Sequence, residues 1–297
     1  MPMTDEKNTH ERTAVAFLGL GAMGARMASR LLSDDLDLRV WSRSGVPQRT
    51  PLLGAVLART PVAAVKDADV VIAMVADDEA SRAVWMGSGA LHGMRRGAIV
   101  IECSTLSPSW AAKLGEHARE VGLAFVDAPV VGSRPQADAG GLIFLAGGDA
   151  AVLERLRPTL LRMGNAVHHV GTSPAGAYTK LIANALFTVQ VAAVGELLGF
   201  ARRARLDVGT LMQVLAGLPV MSPAAKGAVA GMLAGTFAPI FPLRLAAKDL
   251  RYATAEAAAV VSNVPMTCLA SEVFERACAR GLSEENLTTV AKLYVED

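Results

Sequence analysis

A glycine-rich turn near the amino end, Gly19-Leu20-Gly21-Ala22-Met23-Gly24, constrains the fold of this chain more than any other feature. It follows an apolar run at 13–18 that is typical of a buried strand, and it precedes a stretch at 25–32 with the composition of a helix. In this setting Gly19 permits a tight turn, Gly21 lets the backbone approach a pyrophosphate, and Gly24 lets helix and strand pack closely. The first N–H groups of the helix would then face the phosphates. The pattern therefore favours a dinucleotide-binding unit over a plain glycine-rich turn.

Apolar runs alternate with helical patterns up to about residue 170. This alternation is typical of crossover units in a mainly parallel sheet. The predicted strands lie at 15–18, 38–41, 70–75, 99–101, 124–126, 142–145 and 167–170. After Gly171 the residues Ala, Leu, Met and Val dominate and the β-rich runs disappear, so the remainder is predicted to be all-helical. We predict an α/β cofactor-binding domain at 12–172 and an all-helical domain for substrate and dimerisation at 173–297.

The segment at 174–203 predicts one long helix joining the two domains, because no proline interrupts it after its start. At roughly 1.5 Å per residue this helix would be about 45 Å long, which exceeds the width of a small domain. Its apolar residues cover nearly the whole circumference, so it needs burial by its own domain and by a second subunit. We therefore expect a homodimer or homotetramer that assembles through the helical domain.

Composition argues against several other classes of protein. The net charge is +1, and no Lys/Arg cluster forms the basic stripe of a nucleic-acid-binding protein. No uninterrupted apolar run reaches the ~20 residues of a membrane-spanning helix. The three cysteines are scattered without C-x-x-C spacing, so we expect neither a disulfide framework nor a metal site. The polar start at 1–7 lacks the order of a signal peptide. We expect a cytoplasmic protein with a small-molecule substrate.

The second predicted strand ends in Trp41-Ser42-Arg43-Ser44, about 20 residues past the glycine motif, where dinucleotides are distinguished. An acidic residue there would bind the adenosine 2′-hydroxyl, whereas an arginine accommodates a 2′-phosphate. No acidic residue lies between Val40 and Pro51. The planar guanidinium of Arg43, with the hydroxyls of Ser42 and Ser44, suits a phosphate group. We therefore predict NADP(H) as the cofactor, with a solvated turn arginine as the alternative.

Lys180 and Asn184 lie four residues apart in the long predicted helix, so they share one helical face. Burial of an ammonium and an amide on an otherwise apolar helix is costly. A lysine in such a place can give its proton to a developing alkoxide, and burial near other positive charges would lower its pKa toward a useful range. The alternative is a surface lysine whose stem lies along the helix.

Five motifs occur in order along 12–295: Gly19-x-Gly21-x-Met23-Gly24-x-x-Met27-Ala28, Ser104-Thr105-x-x-Pro108, Asp127-Ala128-Pro129-Val130, Gly171…Gly176…Lys180…Asn184 and Lys248-Asp249-Leu250. With them the chain resembles the β-hydroxyacid dehydrogenases, which include 3-hydroxyisobutyrate dehydrogenases and glyoxylate or succinic semialdehyde reductases. The resemblance implies a Rossmann-type N-terminal domain, a helical C-terminal domain and an active site in the cleft between them.

The resemblance also implies roles for individual residues. Lys180 would be the catalytic lysine, Asn184 would orient the substrate, and Lys248 would close the site. We predict Lys180 and Asn184 as catalytic, and Gly132, Ser133, Lys248 and Asp249 as substrate-binding. The predicted cofactor-binding residues are Gly19, Gly21, Met23, Gly24, Ser42, Arg43, Ser44, Val75, Ala76, Ser104, Thr105 and Lys248. The resemblance implies that Ser104 and Thr105 lie by the nicotinamide ribose.

Three departures from the family pattern place the substrate in doubt and leave the cofactor chemistry intact. The usual Ser-Gly-Gly after Asp-Ala-Pro-Val is Val131-Gly132-Ser133, so one hydroxyl is lost and another appears two positions later. The usual paired asparagines are Ala183-Asn184, and a glycine of the Gly171 loop is Pro174. Glyoxylate-reductase-like members resemble this chain in the serine at Ser133 and in the arginine after the second strand.

These observations predict an NADP(H)-dependent oxidoreductase that transfers a hydride between the nicotinamide and a small hydroxy acid, semialdehyde or keto acid, with a lysine as general acid and base. An imine reductase or reductive aminase is one alternative, although those relatives generally lack the lysine. A non-catalytic NADPH-binding sensor is the other alternative, and it would have no need of a proton donor.

Overall fold

The structure, a computed structural model, describes residues 12–45 and 52–294, and the polar start at 1–7 lies outside these ranges. The chain divides into two units. The first holds the described residues up to Ser104 together with Trp110–Ala177, and the second holds Thr105–Ser109 together with those from Tyr178 onward. The sequence placed one boundary, between residues 172 and 173. The structure differs in one respect, since the short segment Thr105–Ser109 belongs to the second unit.

A nine-stranded sheet forms the frame of the first unit, counted over the described residues. The strands run in the order β3-β2-β1-β4-β5-β6-β8-β7, and β9 pairs with β8. Their bounds are β1 Thr13–Leu18, β2 Leu36–Trp41, β3 Val56–Leu57, β4 Val70–Ala73, β5 Ile99–Glu102, β6 Ala124–Asp127, β7 Val130–Val131, β8 Leu142–Gly148 and β9 Gly164–Gly171. All seven predicted strands are present, and only the two-residue strands β3 and β7 were not predicted.

The six strands from β3 to β6 are parallel, whereas β8 runs antiparallel to β6 and β7. Strand β1 lies between β2 and β4, so the direction in which the sheet grows reverses at β1. Ligands of open α/β sheets bind beyond the carboxyl ends of the strands at such a reversal. The glycine-rich turn leaves the carboxyl end of β1 at this point, so the Rossmann-type arrangement is confirmed.

Short helices connect the strands, and several begin at side-chain caps. Thr60 accepts a hydrogen bond from Ala63 N, and Asp77 accepts one from Ala80 N, so each satisfies a free N–H group of its helix. The helices are α1 Gly24–Ser29, α2 Pro61–Val65, α3 Asp78–Arg82, a π-helical turn Ala83–Gly87, α4 Ala90–Gly93, α5 Pro108–Glu120, α6 Arg134–Ala139 and α7 Ala150–Met163. They cover the sheet, whose strands β1 and β4 are almost wholly buried.

The second unit is mostly helical over the described residues, as predicted, with one isolated β-bridge between Pro242 and Asn286. Its elements are α8 Ala175–Arg203, which begins within the first unit, α9 Val208–Gly217, α10 Pro223–Ala234, α11 Leu243–Ala259, α12 Pro265–Ala279 and a 3₁₀ helix Leu287–Tyr294. The core of this unit is built around Val191 of α8, Leu243 of α11 and Phe274 of α12, all three fully buried. Three charged residues of α11, Lys248, Asp249 and Glu256, also lie in the interior, and they are described with the site below.

The long helix α8 matches its predicted length, and its apolar surface is only partly covered. Leu181 and Val191 are buried, whereas Ile182, Leu186 and Phe200 are more than half exposed. By length and composition alone α8 could also cross a membrane, but core helices of soluble proteins pass the same test. The exposed face of α8 is therefore an apolar surface that requires an explanation.

Candidate functional site

The glycine-rich turn is built by close backbone contacts. Gly19 has a φ of +97°, and a Cβ there would collide with the carbonyl oxygen of Met74. A Cβ on Gly24 would collide with the carbonyl oxygen of Gly19. Gly21 differs, since a Cβ on it would meet no protein atom within 4 Å. Packing within the chain thus requires glycine at Gly19 and Gly24, whereas the open space beside Gly21 has the form that the approach of a pyrophosphate to the backbone needs. The residues present fit a dinucleotide.

The residues proposed to distinguish the two dinucleotides follow β2. Gly19 N donates a hydrogen bond of 2.8 Å to Trp41 O, so the glycine-rich turn contacts the end of β2. The chain then makes a turn in which Gly45 N donates to Ser42 O over 3.2 Å. Arg43 and Ser44 are exposed in this turn. An exposed guanidinium beside the glycine turn has the chemistry needed for the 2′-phosphate end of a cofactor.

The ends of β4 and β5 bring together further predicted cofactor residues. Ser104 Oγ accepts a hydrogen bond of 2.7 Å from Val75 N. Ser104 is buried, whereas Ala76, which follows Val75 in the chain, is exposed. Thr105, the next residue, belongs to the second unit. The hydrogen bond from Val75 to Ser104 thus joins the segments that follow two central strands at their carboxyl ends.

A cluster of buried polar side chains lies in the second unit. Lys180 and Asn184 come from α8, and Lys248 and Asp249 come from α11; each is at most 9% exposed. Asn184 Nδ2 donates to Asp249 Oδ2 over 2.6 Å, and Lys248 Nζ lies 3.1 Å from Asp249 Oδ1. The structure thus brings these four predicted residues into one cluster, and burial on this scale excludes a surface lysine at position 180.

Burial lowers the pKa of Lys180 from its ordinary value to about 8. The negative charge of Asp249 opposes this shift, and the positive charge of Lys248 adds to it. An ammonium with such a pKa can lose and regain its proton near neutral pH, whereas an ordinary lysine holds the proton too tightly. The cluster therefore has the electrostatics of a general acid and base.

Hydrogen bonds with α11 account for the assignment of Thr105–Ser109 to the helical unit, and Lys248 makes the first of them. Its Nζ donates a hydrogen bond of 2.6 Å to Thr105 O, and it lies 4.9 Å from the ring centroid of Tyr252. About two turns after Lys248 in α11, Glu256 accepts a hydrogen bond of 3.2 Å from Ser109 N. Two side chains of α11 thereby hold the segment that follows Ser104 in the chain.

Gly132 and Ser133 lie in the first unit, between β7 and α6, so the structure does not group them with Lys180. Gly132 has a φ of +117°, which favours glycine. Ser133 is the N-cap of α6 and forms a capping box with Gln136, whose Oε1 accepts from Ser133 N over 2.9 Å. The hydroxyl of Ser133 therefore has a structural role, and its contact with substrate stays a prediction.

Two of the buried carboxylates that were assigned no role from the sequence lie at the ends of strands. Glu102 ends β5, and Asp127 ends β6. Asp127 Oδ2 accepts a hydrogen bond of 2.7 Å from Ala177 N, in the first turn of α8. A Cβ on Gly147 or on Gly176 would press against this carboxylate, so both glycines make room for it. The sequence offers one signal for both residues, because each is an acidic residue at the end of an apolar strand.

Comparison with known proteins identifies the family. Residues 14–171 match the family model described as the NAD binding domain of 6-phosphogluconate dehydrogenase. Residues 174–294 match the model described as the NAD-binding of NADP-dependent 3-hydroxyisobutyrate dehydrogenase. The chain belongs to the β-hydroxyacid dehydrogenase family, whose members are NAD(P)-dependent oxidoreductases acting on a CH–OH group. The predicted family, a nicotinamide cofactor and a small-molecule substrate are thereby confirmed.

Individual relatives cover nearly the whole chain. An NAD-dependent L-serine dehydrogenase of Pseudomonas aeruginosa is 34% identical, over 94% of this chain and 97% of its own length. Glyoxylate/succinic semialdehyde reductase 2 of Arabidopsis thaliana is 30% identical, over 93% and 78%. A solved Mycobacterium tuberculosis 3-hydroxyisobutyrate dehydrogenase with L-serine superposes with a TM-score of 0.87 at 28% identity, covering 95% of this chain and 99% of that one. An imine reductase from Pseudomonas sp. is 20% identical, which shows a shared fold alone.

Proposed function

We propose that this protein is an NADP(H)-dependent reductase or dehydrogenase of a small hydroxy acid, semialdehyde or keto acid, with Lys180 as its general acid and base. The single observation that carries the proposal is the buried cluster of Lys180, Asn184, Lys248 and Asp249, in which the pKa of Lys180 is about 8. A buried lysine is costly to the fold, and a protein without proton-transfer chemistry has no use for one. This argues against the sensor alternative.

Lys180 acts at the oxygen of the reacting group. When bound, the nicotinamide cofactor supplies or accepts the hydride. In reduction, the ammonium of Lys180 donates its proton to the carbonyl oxygen; in oxidation, the amine takes the proton of the hydroxyl. Asn184, fixed by its hydrogen bond to Asp249, presents an amide whose position is set before substrate arrives.

The charges in the cluster favour an acidic substrate. Below pH 8 the ammonium of Lys180 adds its positive charge to that of Lys248, whereas Asp249 supplies one negative charge. The excess positive charge would be relieved by a carboxylate on the substrate. The relatives named for glyoxylate, succinic semialdehyde and L-serine are in agreement, since each of those compounds carries a carboxylate. We further propose Gly132 and Ser133 as contacts of that carboxylate.

The choice of NADP(H) rests on Arg43. Its exposed guanidinium follows β2, where no acidic residue is present to bind a ribose 2′-hydroxyl. The Pseudomonas aeruginosa relative is named as NAD-dependent, so membership of the family alone leaves the choice open. The side chain at position 43 is therefore the specific support for a 2′-phosphate.

We also propose that the protein is a homodimer or homotetramer. The exposed large apolar residues of α8 lie along one side of the helix at Ile182, Leu186, Leu197 and Phe200. The space between α8, α9 and α10 is a cavity of about 290 Å³ whose wall is mostly apolar and includes Leu197. Apolar surfaces of this kind mark protein–protein interfaces, and a second copy of the chain would cover the face of α8.

Oxidation of NADPH with a panel of substrates tests the proposed function. The panel contains aldehydes without a carboxylate, 2-keto acids, glyoxylate, succinic semialdehyde and cyclic imines, and each is also run with NADH. We expect turnover with the carboxylate-bearing carbonyl compounds and the higher kcat/KM with NADPH. Turnover confined to cyclic imines would establish the imine reductase alternative, and tight NADPH binding with no turnover of any compound would favour the sensor.

A further inference from the structure

Glu102 is a carboxylate enclosed by hydrogen-bond donors. It is 1% exposed, and it is the last residue of β5, two positions before Ser104. Its Oε2 accepts from Ser81 Oγ and from the indole nitrogen of Trp85, both over 2.8 Å. Its Oε1 accepts from Ser104 N over 3.0 Å. A buried carboxylate with three donors is a satisfied polar centre, which is costly to disrupt.

The donors come from different elements of the first unit. Ser81 lies in α3, and Trp85 lies in the π-helical turn that follows it, where the wider turn carries the fully buried indole. Trp110 of α5 donates its indole N–H to Ser81 Oγ over 3.0 Å. Because Ser81 accepts from Trp110, its own proton goes to Glu102. Every group around the carboxylate is thus a donor, and Glu102 serves only as an acceptor.

Burial raises the pKa of Glu102 above its ordinary value, and the hydrogen bonds from Ser104, Trp85 and Ser81 each oppose that rise. Each of these groups donates to the carboxyl group, so the three hydrogen bonds require acceptor oxygens on both sides of it.

Glu102 and Ser104 together fix the loops at the carboxyl ends of β4 and β5. Glu102 accepts a hydrogen bond from the backbone N–H of Ser104, and the Oγ of Ser104 accepts one from the backbone N–H of Val75. We infer that Glu102 is a positioning residue, which sets Ser104 and Val75 for the nicotinamide half of the cofactor through hydrogen bonds and touches no ligand itself. This inference rests on the proposed cofactor contacts of Ser104 and Val75.

Glu102→Gln is the sharpest change for a test. The amide has nearly the same volume, but it replaces one acceptor oxygen by an NH₂ group that must face a donor. Trp85→Phe is a second variant, which keeps a buried ring and removes only the indole N–H. Exposed Glu116 on α5 provides the matched control, Glu116→Gln.

Calorimetric titration with whole cofactors and with their adenosine fragments separates positioning from general damage. The ligands are NADPH against adenosine 2′,5′-bisphosphate, and NADH against ADP; the fragments lack the nicotinamide and its ribose. We expect Glu102→Gln to weaken the preferred whole cofactor about 10-fold and its fragment less than 2-fold. Trp85→Phe should show a smaller loss of the same kind, and Glu116→Gln should match the parent.

Each other outcome has a definite meaning. Equal losses for cofactor and fragment in both Glu102→Gln and Trp85→Phe would show a merely structural role and overturn the inference, as would unchanged affinity for both. Circular dichroism tests whether Glu102→Gln folds. If it does not fold, Trp85→Phe replaces it: a greater loss of affinity for the whole cofactor than for its fragment supports the inference, and equal losses overturn it. A parent protein that binds neither NADPH nor NADH would instead overturn the proposed function.

Discussion

Asn184 donates a hydrogen bond of 2.6 Å to Asp249, and both side chains are buried. The second oxygen of the same carboxylate lies 3.1 Å from the ammonium of Lys248. One carboxylate of α11 therefore fixes an amide of α8 and pairs with a neighbouring lysine. Its charge also raises the pKa of Lys180, against the lowering effect of burial. Asp249 is thus expected to control the proton affinity of the proposed catalytic group.

Asp249→Asn should move the pH dependence of carbonyl reduction toward acid. Loss of the negative charge removes the influence that raises the pKa of Lys180, so Lys180 would lose its proton at a lower pH. The asparagine oxygen can still accept from Asn184, which keeps the geometry close to that of the parent. The measurement is kcat against pH with saturating NADPH. An alkaline limb at the parent's position would refute the electrostatic role of Asp249.

Lys180→Ala should lower kcat for reduction by about 10²- to 10⁴-fold, the range for loss of a positioned general acid. Cofactor affinity should stay nearly unchanged, because the interaction is made chiefly in the transition state. Lys180→Arg should restore little, since a guanidinium does not release its proton near neutral pH. Asn184→Ala should be milder than Lys180→Ala. Single-turnover hydride transfer within a few-fold of the parent in Lys180→Ala would show that the lysine is structural.

The parent enzyme should show opposite pH dependences in its two directions. With the pKa of Lys180 at about 8, the ammonium needed for reduction disappears as pH rises through 8. The amine needed for oxidation appears over the same interval. Initial rates in both directions at constant ionic strength test this. Parallel pH profiles for reduction and oxidation would exclude Lys180 as the proton-transfer group.

Arg43→Ala should raise the KM for NADPH by roughly 10- to 100-fold, the cost of losing a charge-assisted hydrogen bond to phosphate. The KM for NADH should barely change, because NADH has no 2′-phosphate. Exposed Arg155 of α7 supplies the matched control, Arg155→Ala, which should leave both values unchanged. Equal losses with NADPH and NADH in Arg43→Ala would show that Arg43 does not read the 2′-phosphate.

Asp127 should make the free energy of unfolding fall as pH rises from about 4 to 7. Burial raises its folded-state pKa from 3.8 to about 7, so the folded protein keeps a proton that the unfolded chain has released. The slope contributed by one such group is at most about 1.4 kcal/mol per pH unit. Asp127→Asn removes this titration, so urea unfolding should show a shallower decline than in the parent. The exposed control Asp34→Asn should decline like the parent, and an unchanged slope in Asp127→Asn would contradict the assignment.

Local patterns in the sequence account for much of the fold. Alternation of apolar runs with helical stretches located seven strands, and the signal is clearest for β4, β5 and β6, because buried parallel strands are apolar on both faces. The glycine motif marked the turn after β1, and the proline-free segment marked α8. The pair Lys180 and Asn184 was found from its spacing of one helical turn.

The remaining features depend on contacts between distant parts of the chain. Ser109 N and Glu256 are 147 residues apart, so no local pattern shows that they form a hydrogen bond. The same is true of Asn184 and Asp249, 65 residues apart. An acidic residue at a strand end, such as Glu102, is visible in the sequence, but its donors from α3 and the π-helical turn are not. Burial, which decides the pKa of Lys180, also follows only from the assembled unit.

The placement of Thr105–Ser109 has a consequence for synthesis of the protein. The carbonyl of Thr105 leaves the ribosome 143 residues before Lys248, the donor of its hydrogen bond. The hydrogen-bond partners of this segment, Lys248 and Glu256, are therefore synthesised only after much of the helical unit. A carboxyl-terminal fragment that begins at Tyr178 would lack the segment altogether. The helical unit thus includes five residues, Thr105–Ser109, that the chain carries within the sequence of its nucleotide-binding half. A chain that lacks that half cannot form the complete helical unit.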